Sequence, residues 1–372
     1  MKSAALFLLI LYFKGTLSQS QFGNCLTPNS ERGSCIILKE CNGLYSLLQR
    51  VPLNDEDKNF LKRSQCGWHN GDVLICCTEK QKAGGNFQPA VNRGPNSDNE
   101  LLPEPGVCGS FITDKIYGGV ETKLDEYPWM ALIEYQKPNN TKGFHCGATL
   151  ISRRYLITAS HCINAHSLPT DWKPISVRLG EWDISTDMDC DEFDCTDPIV
   201  DVPIAKIIGH EEYDPNVKNL PNDIALLRLS RKIDYSDFIK PICLPVNPNV
   251  PSDALKMDIA GWGKNETIGN SNKKLRAYAT AVSLDSCNDV YSKRGINLSN
   301  KQLCVGGDLG IGCRVDSGGL LMGLNRTVLF NSYLFIAGVF SFGSTPCGLQ
   351  GWPVVYTKVS EYVDWIKRNV EP

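Results

Sequence analysis

Three short stretches of the chain carry side chains that could cooperate in nucleophilic catalysis. His161 stands in Thr158-Ala159-Ser160-His161-Cys162, Asp223 at the mouth of the apolar run Asn222-Asp223-Ile224-Ala225-Leu226-Leu227, and Ser317 in the glycine-rich turn Asp316-Ser317-Gly318-Gly319. A serine hydroxyl is a poor nucleophile at neutral pH unless an imidazole takes its proton. The imidazole in turn needs a buried carboxylate to fix its tautomer and stabilise its charge. The order His, Asp, Ser along a chain is one convergent form of that constellation. Singly, the three read as a satisfied core histidine, a turn cap and a loop serine; together, in order and in these contexts, they read as a catalytic set.

Such a set needs a scaffold to position it. From about residue 132 the chain breaks into short β-rich runs at 130–135, 148–150, 155–158, 177–179, 204–208, 224–229 and 334–342, separated by turns. That texture predicts an all-β barrel or sandwich. Within this region only the end reads as helical, where Val359, Val363, Ile366 and Val370 recur at helical spacing.

The first residues address the compartment. Lys2 precedes an apolar run over residues 4–13, which Lys14 ends and Thr16-Leu17-Ser18 follows with a small-x-small cleavage site. The run is too short for a membrane span, which takes about 20 apolar residues, and residues 1–18 read as a secretory signal peptide. The expected location is extracellular, with no membrane span. Sequons at Asn139, Asn265, Asn297 and Asn325 agree with that route. The 372-residue chain carries a formal charge of −3, which disfavours a nucleic-acid partner. Its 42% hydrophobic and 21% charged content is that of a folded globular protein.

Outside the cell, the 16 cysteines are expected in disulfides. Six of them, Cys25, Cys35, Cys41, Cys66, Cys76 and Cys77, form one group, and the other ten run from Cys108 to Cys347. A glycine-, asparagine- and proline-rich stretch near 84–98 separates the groups as a linker. A module spanning 25–77 is too small to be secure without cross-links. Spacing alone does not choose among its 15 possible connectivities, and the absence of any C-x2-C pair argues against zinc.

On Ile116-Tyr117-Gly118-Gly119, Pro128-Trp129-Met130-Ala131, Gly261-Trp262-Gly263 and Cys347-Gly348-Leu349-Gln350-Gly351-Trp352-Pro353, residues 116–372 resemble a trypsin/chymotrypsin-family protease domain. Residues 25–77 resemble the clip domain of arthropod zymogen proteases, with 78–115 as linker and activation segment. The resemblance implies a double β-barrel with a C-terminal helix, preceded by a small disulfide-rich module, and His161, Asp223 and Ser317 as the triad. It also implies bridges Cys25 to Cys76, Cys35 to Cys66, Cys41 to Cys77, Cys108 to Cys243, Cys146 to Cys162, Cys190 to Cys195, Cys287 to Cys304 and Cys313 to Cys347. Cleavage after Lys115 by a trypsin-like enzyme would free the amino group of Ile116 to pair with Asp316. The implied setting is an extracellular cascade of the Toll/spätzle or prophenoloxidase type, with a protein substrate or cascade partner, an upstream activating protease and a serpin as partners.

The sequence departs from that family where substrate is handled. The serine motif reads Val315-Asp316-Ser317-Gly318-Gly319-Leu320 where active members have Gly-Asp-Ser-Gly-Gly-Pro. Val315 therefore stands where glycine supplies, with Ser317, the oxyanion-hole N–H groups, and valine resists backbone angles that glycine accepts. Ile311, six residues before Ser317, replaces the aspartate of a trypsin-like pocket, Val354 stands where relatives carry a glycine on the pocket wall, and Gly343 is expected in the same pocket. A shallow apolar pocket for a small aliphatic side chain is expected. Two readings follow: a non-tryptic and weak endopeptidase, or a silent homologue that acts as a binding cofactor or decoy.

No cofactor is expected for the chemistry. Glu181 and Asp183, followed by Thr186 and Asp189, resemble the start of a structural calcium loop in some relatives. A solvated acidic loop held by Cys190 and Cys195 is the alternative.

Overall fold

Branched and aromatic side chains crowd the faces of the short runs, and burying those faces on one another builds the barrels. The computed structural model of the chain describes residues 22–28, 31–48, 57, 60–61, 63–69, 72–83, 101–110, 120–191, 194–245, 256–262, 264–265, 269–270, 272–306, 317–325, 333–344, 349 and 351–372. The leader, Lys115, Ile116, Ile311, Cys313, Val315, Asp316 and Cys347 lie outside the described residues. The chain divides into two units, Met1–Asn96 with Thr327–Asn331, and Ser97–Arg326 with Ser332–Pro372.

In the first unit β1 (Asn24–Leu26), β2 (Arg32–Ile37), β3 (Gln65–His69) and β4 (Asp72–Cys77) form an antiparallel sheet ordered β1-β2-β4-β3. Helix α1 (Asn42–Leu48) adds Leu44 and Leu47 to a small core with Ile36, Phe60 and Ile75. Three bridges, Cys25–Cys76, Cys35–Cys66 and Cys41–Cys77, cross-link it. A short helix α2 (Glu79–Lys82) starts on a capping box in which Thr78 and Gln81 each accept the other's backbone N–H.

The second unit holds two barrels. Strands β6 (Met130–Gln136), β7 (Lys142–Leu150), β8 (Tyr155–Thr158), β9 (Lys173–Leu179), β10 (Val200–Gly209) and β11 (Ala225–Leu229) close in the order β10-β11-β8-β7-β6-β9. Strands β12 (Lys256–Gly261), β15 (Leu275–Val282), β16 (Gln302–Val305), β17 (Leu320–Asn325), β18 (Tyr333–Phe342) and β19 (Val354–Lys358) close the second barrel through the β12–β15 pair. Between β12 and β15 lies a small hairpin of β13 (Lys264–Asn265) and β14 (Gly269–Asn270), and β5 (Val120–Glu121) pairs with β15. Strand β11 packs Leu226, Leu227 and Leu229 fully inside, each contributing roughly 1.5 to 3 kcal/mol of transfer free energy.

The C-terminal segment forms a 3₁₀ turn, Val359–Tyr362, and helix α4 (Val363–Asn369). Helix α3 (Leu284–Tyr291) corrects the expectation that only the end is helical. Ser283 caps it by accepting the Ser286 N–H at 3.2 Å, and the Cys287–Cys304 bridge anchors it to β16.

Residues 101–110 are built into this unit. Cys108 is bridged to Cys243, the Gly109 N–H donates to the Pro241 carbonyl at 2.9 Å, and Leu334 N–H donates to the Gly109 carbonyl at 3.0 Å. Gly109 has φ of 67°, and a Cβ there would lie 2.2 Å from the Leu334 carbonyl oxygen, so only glycine fits. Leu101 and Leu102 pack against the main hydrophobic core of this unit, to which both barrels contribute.

Candidate active site

Strand register brings the first two members together. β8 pairs with β11 so that Thr158 faces Ala225, and the residues just after the one strand and just before the other emerge at the same barrel end. His161 lies in the turn Ser160–Cys162 that follows β8, and Asp223 lies two residues before β11. The Ser160 hydroxyl donates to the Ile224 carbonyl at 2.7 Å and fastens the two segments.

Asp223 is 0% exposed. Its Oδ1 accepts the His161 backbone N–H at 2.9 Å and its Oδ2 lies 2.8 Å from His161 Nδ1. Oδ2 also accepts the Ser341 hydroxyl at 2.6 Å, and the Asp223 carbonyl accepts the Thr357 hydroxyl at 2.8 Å. Ser341 is on β18 and Thr357 on β19, so the carboxylate sits at the seam of the two barrels. With Nδ1–H donated to the carboxylate, the imidazole keeps Nε2 as its proton acceptor.

Ser317 precedes β17, and its carbonyl accepts the Gly147 N–H at 2.8 Å. Gly147 follows Cys146, which is bridged to Cys162 beside His161. Gly318 has φ of 71°, and a Cβ on it would lie 2.4 Å from Thr158 Oγ1 and 2.9 Å from the Gly147 carbonyl oxygen. The glycine after the serine thus lets the loop lie directly on the strand that leads to His161. Leu320 is buried at the start of β17.

Gly343, just after β18, and Val354, first in β19, come together: a Cβ on Gly343 would be 3.9 Å from Val354 Cγ2. Val354 is 5% exposed, and the Tyr291 hydroxyl holds the preceding Pro353 carbonyl at 2.6 Å.

The acidic loop is partly assembled. Glu181 is 2% exposed, its Oε1 has no hydrogen-bond partner, and Arg178 Nη1 lies 3.4 Å from its Oε2. Burial first, and the neighbouring Asp189 carboxylate second, push the Glu181 carboxyl up to about 7. Asp189 Oδ2 accepts the Trp182 and Asp183 N–H groups at 2.8 and 3.0 Å, and its Oδ1 accepts the Thr186 hydroxyl at 2.5 Å. The Asp183 carboxylate instead accepts from the Ser185 N–H and hydroxyl. The Cys190–Cys195 bridge closes the loop. A buried, unpartnered carboxylate oxygen beside a second carboxylate fits a hard cation.

Asn139 and Asn297 lie on exposed turns, whereas Asn325 Nδ2 donates to the Tyr333 hydroxyl at 2.8 Å. Asn265 lies in β13. Sequence reasoning missed Ser341 and Thr357, because nothing in their local sequence marks them; only the meeting of the barrels puts them on Asp223.

Two family models match the chain: "Trypsin" over residues 116–366 and "Regulatory CLIP domain of proteinases" over residues 25–77. The chain is 50% identical over 370 residues to "Serine protease ea" of Drosophila melanogaster, covering 97% of this chain and 94% of that protein. It is 38% identical to the "Spaetzle-processing enzyme" of the same organism, covering 97% and 95%. The crystal structure of the Drosophila Grass clip serine protease of the Toll pathway superposes with a TM-score of 0.61 at 31% identity, over 93% of this chain and 97% of that one.

Proposed function

Because the chain belongs to the trypsin family, in its clip-domain branch, we propose that it is a secreted zymogen of a serine endopeptidase with non-tryptic and weak activity. It would act on a protein substrate in an extracellular cascade, in line with the processing and melanisation roles that its relatives' names carry. Among the described residues no helix is long and apolar enough to cross a membrane.

The observation that carries this reading is the 2.8 Å contact between His161 Nδ1 and the fully buried Asp223, with the Ser317 loop fastened through Gly147 to β7, the neighbour of β8. In the proposed reaction Ser317 Oγ attacks the scissile carbonyl while His161 Nε2 takes its proton. Asp223 stabilises the imidazolium that forms, and His161 then returns the proton to the leaving amine. The backbone N–H groups of Val315 and Ser317 would receive the oxyanion.

Cleavage after Lys115 would start this activity by freeing Ile116 to pair with Asp316. Residues 101–110 would remain on the protease unit, since Cys108–Cys243 and the backbone bonds of Gly109 hold them independently of that cut. Val354, nearly buried opposite Gly343, supports a shallow apolar pocket with Ile311 at its base, suited to Ala or Val before the scissile bond. The same replacements, with Val315 and Leu320 in the serine motif, favour a second reading, a silent homologue that binds cascade partners as cofactor or decoy. Glu181 with Asp189 would hold a structural calcium ion that steadies the loop and takes no part in the chemistry.

An organophosphonate that titrates nucleophilic serines tests the enzyme reading. After verified cleavage at Lys115, stoichiometric labelling that is lost in Ser317→Ala supports it. Absence of labelling leaves the silent homologue.

A further inference from the structure

The residue before Asp223 is placed in an unusual way. Asn222 has φ of 58°, a left-handed conformation that asparagine tolerates better than other side chains with a Cβ. Its carbonyl accepts the Ile224 N–H at 2.8 Å, which closes a tight turn around Asp223. The side chain is buried, and both ends of its amide are engaged. Oδ1 accepts from Tyr362 Oη at 3.0 Å and from Lys301 Nζ at 3.1 Å, while Nδ2 donates to the Glu212 carbonyl at 3.3 Å and lies 3.5 Å from Glu212 Oε2.

These partners come from different parts of the protease unit. Glu212 follows β10 of the first barrel, Lys301 precedes β16 of the second, and Tyr362 belongs to the turn before α4. The same loop is fastened again nearby, where Gln302 Nε2 donates to the Asn219 carbonyl at 2.7 Å and Asn219 Nδ2 donates to the Asn297 carbonyl at 2.8 Å. The two donors facing Oδ1 and the carbonyl facing Nδ2 fix which way the amide points. An aspartate would put an acceptor against the Glu212 carbonyl, an aliphatic side chain would strand Lys301 and Tyr362, and a glycine would keep only the backbone angle.

We infer that Asn222 is a positioning residue for the His161–Asp223 pair, holding the carboxylate through its left-handed turn and through an amide that joins the two barrels. The inference rests on the hydrolase reading above, and it makes the C-terminal turn part of the triad's support. Asp223 reaches the second barrel directly through Ser341 and Thr357. Asn222 sets the turn from which that carboxylate projects, so releasing its side chain lets Asp223 drift away from His161.

The test uses the full chain cleaved after Lys115, as wild type, Asn222→Gly and Tyr362→Phe. Two readouts are taken at 25 °C: the rate of phosphonate labelling of Ser317, and the low-field proton resonance of His161 Nδ1–H in the NMR spectrum. Asn222→Gly is expected to slow labelling about tenfold and to shift or broaden the resonance. Tyr362→Phe, which removes one bond and leaves the turn intact, should slow labelling about threefold and move the resonance in the same direction. Lower thermal stability with both readouts unchanged would reduce Asn222 to a structural residue and overturn the inference. If the wild type is not labelled, the hydrolase reading fails, and the resonance alone then decides whether Asn222 positions the pair.

Discussion

The two sides of the cleft differ in how they are held. On one side, His161 and Asp223 lie between β8 and β11, with donors from both barrels converging on a carboxylate that is shut away from water. On the other, Gly343 and Val354 lie together, a Cβ on the glycine falling 3.9 Å from Val354 Cγ2. The His161–Asp223 pair is held by hydrogen bonds from both barrels, whereas on the proposed reading the selecting side offers less room and, at Ile311, no carboxylate. The two sides are joined through β18 and β19, which carry Ser341 and Thr357 to Asp223 and, a few residues away, Gly343 and Val354.

Substitutions can break that comparison. The largest effect is expected from the proton-handling side: His161→Ala should lower hydrolysis or labelling by about 10⁶-fold, and Asp223→Asn by about 10⁴-fold, in single-turnover kinetics. Equal, small losses on both would mean that this side is a relic. On the selecting side, Val315→Gly is expected to raise turnover by about 10²- to 10³-fold by restoring a flexible oxyanion donor. Val354→Gly should favour larger side chains before the scissile bond, changing relative kcat/KM by roughly 10- to 200-fold in a peptide library.

The smallest effect on the chemistry belongs to the acidic loop, where the change is in stability. The Glu181 carboxyl titrates at about 7 in the folded chain against an ordinary 4.5, so the folded state holds a proton that the unfolded state has released. Stability therefore falls as pH rises from about 4.5 to about 7. In chelator, Glu181→Gln should stabilise the chain more at pH 8 than at pH 4, as read by urea unfolding. Calcium should stabilise the wild type at pH 8 and not the variant.

Much of this architecture is legible in the sequence, for physical reasons that also mark where legibility ends. The first barrel's strands announce themselves because runs such as Ala225-Leu226-Leu227 are apolar on both faces. Most strands of the second barrel do not, since β12 and β15 mix Lys256, Asp258 and Arg276 among their core residues and blur the alternation. His161, Asp223 and Ser317 stand in distinctive local sequences, and the structure joins the first two directly. Ser341 and Thr357 carry no such signature, because they reach Asp223 only where the two barrels meet. Helix α3 was hidden for a related reason, being fixed by a cap and a bridge more than by its own periodicity.

The central claim, an intact proton relay behind a narrowed apolar pocket, is tested most directly by labelling the chain cleaved at Lys115 with two phosphonates side by side. One carries an alanine- or valine-like side chain and the other an arginine-like one. The account predicts that Ser317 is labelled by the aliphatic reagent and far more slowly by the basic one. Faster labelling by the basic reagent would contradict the pocket, and no labelling by either would contradict the relay.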